Sequence, residues 1–338
     1  MTAQYNLDIF DAEEAIETVD PKSFDDVIVF FSGGKDSIAC VLLLLEQGIK
    51  PELWHHDVDG KGENFFDWPC TTGYVNMFAK AFDLPVYHSW REGGLEAELT
   101  KKDARTAAVV YEKPDGTLGR SGGTRGAITT RRRWPSVGSD LRTRWCSPIA
   151  KIDVGSAAIS GQERFRGRKV LVVTGERAAE SAARAKYKTV EPHRTNAPGK
   201  RVNRRVTQWR PVLHWSEEQV WQIIERHKVQ PHPCYRLGIS RCSCMICIFS
   251  SSRQAAMVEK IDPARHDKIC GYETDFNHTI RRDTNWKDHA AEFGKKGKAL
   301  NLDPKLIRLA MDPNYSEPAI IDNWELPAGA FGENAGPT

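Results

Sequence analysis

Val27-Ile28-Val29-Phe30-Phe31 is a short unbroken apolar run and reads as a strand buried on both faces. It ends in the polar, glycine-rich Ser32-Gly33-Gly34-Lys35-Asp36-Ser37. Ile38 to Gln47 then reads as an apolar helix, with Gly48 where a C′ glycine belongs. Residues 52–60 read as a second strand ending in polar positions. Glu63 to Phe82 carries Phe66, Tyr74, Phe78 and Phe82 at helical spacing, and Leu84 to His88 reads as a third strand. A β-α-β-α-β order within 90 residues predicts an α/β fold, a doubly wound and mainly parallel sheet with right-handed crossovers. Lys169 to Val173 adds a strand. Ser216 caps a helix with Gln219 at N3, and Val220, Trp221, Ile223 and Ile224 form its apolar face.

Three segments are organised differently. Residues 1–24 predict an amphipathic extension ended by Pro21, and Gly116 to Gly126 predicts a flexible surface loop. The expected organisation is an extension (1–24), an α/β nucleotide-binding domain (25–215) and a helical, cysteine-containing region (216–338). For residues 270–338 the sequence suggests only helices and loops.

The turn after the first strand has the chemistry of an anion site. Gly33 and Gly34 let successive N–H groups point inward, the helix start adds partial positive charge, and Ser32 and Ser37 add hydroxyls. A triphosphate suits it, with Lys35 as point charge and Asp36 available to Mg²⁺. The spacing is neither that of a Walker loop nor that of a Rossmann loop. In a doubly wound sheet ligands lie beyond the strand C-termini, which puts Asp57 or Asp59 near a ribose or metal. Neighbouring His55 and His56 point to opposite faces of a strand and make a poor metal pair.

The net charge of +3 conceals an asymmetry. Residues 1–26 hold eight acidic side chains against Lys22 alone. Residues 120–144 carry seven arginines, and 184–210 carry nine Lys or Arg. With Trp134, Trp145 and Trp209 interleaved, these stretches suit a polyanion whose phosphates they track and whose bases they stack. No apolar run approaches a membrane span, and the start lacks a signal peptide's basic and apolar regions, so a cytoplasmic protein is expected. There, the eight cysteines suit ligands, nucleophiles or core positions better than disulfides. Cys242, Cys244 and Cys247 follow Cys234 within 14 residues, a metal-ligand pattern open to zinc or to an iron–sulfur cluster.

Ser32-Gly33-Gly34-Lys35-Asp36-Ser37 resembles the PP-loop of the ATP pyrophosphatase superfamily. Gly175, Arg177, Glu180, Ser181 and Arg184, at a strand end, resemble the second signature of its phosphoadenylylsulfate (PAPS) reductase branch, as do Trp209 to Tyr235; the likeness covers roughly 25–250. The resemblance implies an adenine-nucleotide α-hydrolase-like fold that cleaves ATP to AMP and pyrophosphate. Lys35, Asp36 and Ser37 would be catalytic, Ser32 to Ser37, Asp57 and the second signature would hold nucleotide, and Arg177 and Arg184 would be forks for phosphate or sulfate. It also implies a [4Fe-4S] cluster, with Zn²⁺ as the alternative, on Cys146, Cys244 and Cys247, the fourth position taken by Cys242 or Cys234 or left open to bind a sulfide. Branch members that reduce sulfonates use a cysteine near the C-terminus, and no cysteine follows Cys270. The nearest character is therefore the ATP-pyrophosphatase component of bacterial DNA phosphorothioation systems. Its implied partners are DNA, a cysteine desulfurase as sulfur donor and other modification-system subunits. A tRNA thiolase, a PAPS or adenylylsulfate reductase using Cys70 or Cys270, and a non-catalytic nucleotide- or nucleic-acid-binding subunit are the alternatives.

Overall fold

The structure, a computed structural model, describes residues 19–138, 140–242, 244–295 and 299–331. In chain order the strands and helices are β1 (Asp26–Phe30), α1 (Lys35–Glu46), β2 (Glu52–Asp57), α2 (Thr71–Ala81), β3 (Val86–Arg91), α3 (Gly94–Leu99), β4 (Val109–Glu112), β5 (Leu118–Ser121), α4 (Asp153–Ser160), β6 (Lys169–Val173), β7 (Val190–Pro192) and β8 (Arg205–Trp209), then α5 (Glu217–Arg226), α6 (Pro233–Arg236), α7 (Ser252–Ile261), α8 (Pro263–Phe276), α9 (Trp286–Lys295) and α10 (Pro304–Ala310).

One sheet runs in the order β5-β4-β3-β2-β1-β6-β8-β7. Its five central strands are parallel, and β4, β5 and β7 are antiparallel edges. The chain leaves β1 toward β2 and β3, then returns to β1's other side through β6 and β8. The switch point therefore falls between β1 and β6, where a doubly wound sheet opens a crevice at its strand ends.

Alternation along β1 divides the core. Val29 joins Leu53, Leu171 and Val173 beneath α1 and α2, while Ile28 joins Trp54, Val170 and Val172 on the α4 side. The first layer continues through Trp221 of α5 to Met257, Trp286 and Ala330, so the C-terminal helices share the core that seats α1. Among the described residues no helix is long and apolar enough to cross a membrane.

Gly48 has φ of +75°, and Ser216 with Gln219 forms the expected capping box. Three expectations change. The helix read from Glu63 begins only at Thr71, because Asp59 accepts the N–H groups of Phe66 (2.8 Å) and Asp67 (2.9 Å) and holds the preceding stretch as a loop. The stretch read as a flexible loop contains β5, an edge strand whose exposed side chains leave no apolar period. Gly119 there has Tyr111 so close that an added Cβ would meet its ring at 2.1 Å. The N-terminal extension lies outside the described residues as far as 18, and Pro21–Ser23 forms a single 3₁₀ turn.

Candidate functional site

The loops leaving β1 and β6 touch. A Cβ on Gly175 would stand 2.8 Å from the backbone carbon of Asp36 and 3.0 Å from Ser37 N, so only glycine lets the strands' loops close on each other. Gly33 has φ of +74° with the Tyr74 ring behind it, which opens the turn. Ser37 Oγ donates to Gly34 O (2.8 Å) and lies 3.3 Å from Ser32 Oγ, tying the two ends of the turn.

Charge inside this crevice is fully paired. Arg177 Nε donates to Asp36 Oδ1 at 2.5 Å, and Lys35 Nζ lies 3.3 Å from both Asp36 Oδ2 and Glu217 Oε1. Burial alone would raise the Asp36 pKa, but Lys35 and Arg177 outweigh it and hold the carboxyl below its usual range. Glu180 binds the Arg184 guanidinium and accepts the Arg177 N–H (2.9 Å), and Ser181 Oγ accepts the Arg184 N–H (3.2 Å). Thus residues 32–37 and 175–184 come together as one site. Asp57, the last residue of β2, shapes a turn: its Oδ1 accepts the N–H groups of Asp59 (2.9 Å) and Gly60 (3.0 Å).

The crevice fits a nucleotide's phosphates, which can draw Lys35 and Arg177 from their carboxylate partners. A Mg²⁺ on Asp36 fits less directly, since both carboxylate oxygens are engaged until those cations move.

Two residues of the site escaped the sequence. Tyr235 OH accepts the Lys35 N–H (3.1 Å), and Glu217 meets Lys35 Nζ. Both lie in the segment from Trp209 to Tyr235, whose spacing was legible although its contact with the loop was not.

Tyr235 also introduces the cysteines. The Cys242 carbonyl lies 3.7 Å from where a Gly34 Cβ would be, so the cysteine loop lies directly against the nucleotide loop. Cys146, Cys244 and Cys247 act on one another: burial, then the charge of Cys247, pushes Cys146 up to about 11, and burial pushes Cys244 well up, with Cys247 and Cys146 adding to it. Their sulfurs do not all lie within 4.8 Å of one another, whereas zinc thiolates with Zn–S of about 2.3 Å stand about 3.8 Å apart. As placed, the three sulfurs do not close on a single zinc ion.

Cys242 departs from its expected place. It groups instead with His232 and Cys234, the one set of three ligand-type residues whose atoms all lie within 4.8 Å among the described residues. Seven residues separate Cys234 from Cys242, enough for the chain to turn back through Gly238 and bring their sulfurs together.

The basic stretches are also revised. Trp134, Trp145 and Trp209 are buried to 0%, 6% and 6% exposure and cannot stack on bases. Arg120, Arg131, Arg132, Arg142 and Arg194 are ion-paired to Glu92, Glu98, Asp275, Asp140 and Asp153. His55 and His56 go separate ways, to Phe31 O (3.0 Å) and Ser89 Oγ (2.7 Å).

Residues 127–250 match the phosphoadenosine phosphosulfate reductase domain, a span that holds the second signature and all the cysteines from 146 to 247 but not residues 32–37. The chain is 33% identical over 141 residues to an uncharacterised 37.8 kDa protein of Escherichia phage 186, covering 42% of this chain and 39% of that one. It is 29% identical over 102 residues to the adenosine 5′-phosphosulfate reductase of Allochromatium vinosum, covering 30% and 34%. The chain thus spans less than two fifths of the length of these curated relatives. A solved structure of Candida glabrata FMN adenylyltransferase with FMN and the ATP analogue AMPCPP is similar over 64% of this chain and 54% of that one, at a TM-score of 0.32 and 12% identity.

Proposed function

We propose that this chain, which belongs to the PP-loop, PAPS reductase-like superfamily, is an ATP pyrophosphatase that adenylylates a substrate oxygen so that sulfur can replace it. The acceptor we favour is a DNA backbone, ahead of tRNA. ATP lies with its outer phosphates on the amides of residues 32–37. The acceptor oxygen attacks the α-phosphorus, the α–β bridging bond breaks, and pyrophosphate leaves with the electron pair. Lys35 and Arg177, released from Asp36, offset the growing charge, which is catalysis by positioning and electrostatics. Ser37 and the loop amides hold the leaving group, and AMP departs when sulfur displaces the activated oxygen.

The observation that carries this reading is the contact between the two loops: Tyr235 and Cys242 of the sulfur-rich segment sit on Lys35 and Gly34. That closeness gives sulfur chemistry and nucleotide chemistry one address. Cys146, Cys244 and Cys247 are the residues we assign to a [4Fe-4S] cluster. When bound, the cluster supplies thiophilic, redox-active iron. The sulfur itself would come from a cysteine desulfurase, with further modification subunits presenting the acceptor. A sulfonate reductase using Cys70 or Cys270 gains no support, because burial raises the pKa of both and leaves neither an activated nucleophile.

Incubation with α-labelled ATP, with and without DNA or tRNA and a desulfurase, tests the proposal. AMP and pyrophosphate that depend on the acceptor are expected. ADP with phosphate, or sulfite release from a sulfonucleotide, overturns it.

A further inference from the structure

Behind the nucleotide loop, four ligand-type side chains from two distant parts of the chain meet where water does not reach. Cys70, at the start of α2, His232 and Cys234 are each 0% exposed, and Cys242 is 8% exposed. The chain is bent to bring the last two together: Gly238 N donates to Tyr235 O and Ile239 N to Cys234 O, both at 3.0 Å, and Gly238 takes φ of +83°. The result places one atom each from His232, Cys234 and Cys242 within 4.8 Å of one another.

Cys70 extends the set. Its Sγ lies 3.4 Å from His232 Nε2. A tetrahedral zinc with Zn–N of about 2.0–2.1 Å and Zn–S of about 2.3 Å holds its nitrogen and sulfur ligands about 3.6 Å apart. The ring is turned so that Nε2 lies between Cys70 Sγ and Thr71 Oγ1 (3.3 Å), while Nδ1 accepts the Cys234 N–H at 3.2 Å.

We infer that His232, Cys234 and Cys242, with Cys70 as the fourth ligand, form a closed structural zinc site that fastens the cysteine loop to the start of α2. Loading Zn²⁺ releases three protons in all from the three thiols and the imidazole. His232 is neutral in the loaded site, bound through Nε2 with its proton on Nδ1, and the bond from the Cys234 amide is given up. Cys70 stands outside the 4.8 Å set, so its sulfur moves toward the other two as the tetrahedron closes. A site with four protein ligands and no solvent has no open position and does no chemistry of its own. Its effect is on position, since Cys234 precedes Tyr235 and Cys242 follows it, and these are the residues that contact Lys35 and Gly34.

This site is distinct from Cys146, Cys244 and Cys247, and its test does not depend on ATP turnover. Protein purified anaerobically is analysed for zinc and iron, and its zinc edge is examined by X-ray absorption. One zinc per chain with one nitrogen and three sulfur ligands is expected; a nitrogen ligand separates this site from an all-cysteine one. Cys242→Ser should lose zinc and keep iron, whereas Cys146→Ser should lose iron and keep zinc. Wild-type protein loaded with Co²⁺ should show thiolate charge-transfer bands, which needs no variant to fold. Full-length protein that takes up neither zinc nor cobalt overturns the inference, as does zinc retained in Cys242→Ser or iron lost from it.

Discussion

Around Gly34 two loops meet that treat charge in opposite ways. On the nucleotide side, Lys35, Asp36, Arg177 and Glu217 neutralise one another at 2.5–3.3 Å. On the cysteine side, burial raises Cys146 and Cys244 above the ordinary thiol range, Cys247 adds to both, and Lys151 opposes the rise. The nucleotide loop can accept a polyanion only by exchanging partners, because its cations are already spent on carboxylates. Cys146 and Cys244 can become charged only by gaining a cation that offsets their burial. Ligands of opposite sign should therefore load the two loops, and each can be disabled while the other stands.

The largest expected effect is on turnover. Lys35→Ala removes the point charge at the leaving pyrophosphate, and AMP formation should fall by about 10²–10³-fold or more, as when one preorganised donor to a developing charge is deleted. Labelled-ATP assays measure it. The iron content of Lys35→Ala should equal that of wild type, and a parallel loss of iron would show that the loops are not independent.

Cys244→Ser is the converse. Iron and sulfur incorporation should be lost, while ATP binding, followed by calorimetry, should be unchanged. Weakened ATP binding in this variant would break the comparison from the other side.

A smaller effect is expected where the loops from β1 and β6 close. Gly175→Ala puts a Cβ 2.8–3.0 Å from the backbone of Asp36 and Ser37. Neither neighbour is a flexible side-chain end, so the loops must part, at a cost of about 1–3 kcal/mol. The ATP dissociation constant should rise about tenfold for each 1.4 kcal/mol that falls on the bound state.

That contact also marks the limit of what the sequence reveals. β1 and β6 are legible because strands buried on both faces read as apolar runs, and β2 and β3 because short, partly apolar segments follow at the spacing of a β-α-β-α-β order. The turn after β1 is legible because glycines in that place have few other uses. Arg177 could be read as a phosphate fork, but its bond to Asp36 joins residues 141 positions apart and has no local pattern. The cysteines show the same division. Their number and spacing announce a metal, yet the partition of Cys242 to His232 and Cys234 depends on the turn at Gly238. β5 was hidden for another reason: an exposed edge strand is held by its ladder to β4, not by apolar spacing.

Burial without any partner charge gives a weaker, pH-dependent effect. His88 and His193 are each 6% exposed. Burial, then nearby positive charge, lowers His88 to about 3 and His193 to about 4. Both pKa values are depressed, so the stability these neutral rings provide is complete above about 6.5 and is lost as pH falls toward the folded values. Each accounts for up to about 1.4 kcal/mol per pH unit. Thermal melting between pH 7 and pH 5 should fall steadily in wild type and less steeply in His193→Gln.

The same accounting of charge separates the surface arginines that are spent from the cations that are not. Arg120, Arg142 and Arg194 each hold a carboxylate. Lys186, Lys188, Lys200, Arg201 and Arg205 are exposed and have no ion-pair partner among the described residues. If DNA is the acceptor, its phosphates should be met by this second group, with no aromatic stacking from the buried tryptophans. Each Lys→Ala change there should weaken binding alike for all sequences and reduce the slope of log affinity against log salt by about 1. Arg142→Ala should leave the slope unchanged, because the energy its guanidinium could give a phosphate is offset by separation from Asp140. Equal slopes for the two groups would mean that ion pairing does not decide which cations a polyanion recruits, and the contrast between the two loops would lose its generality.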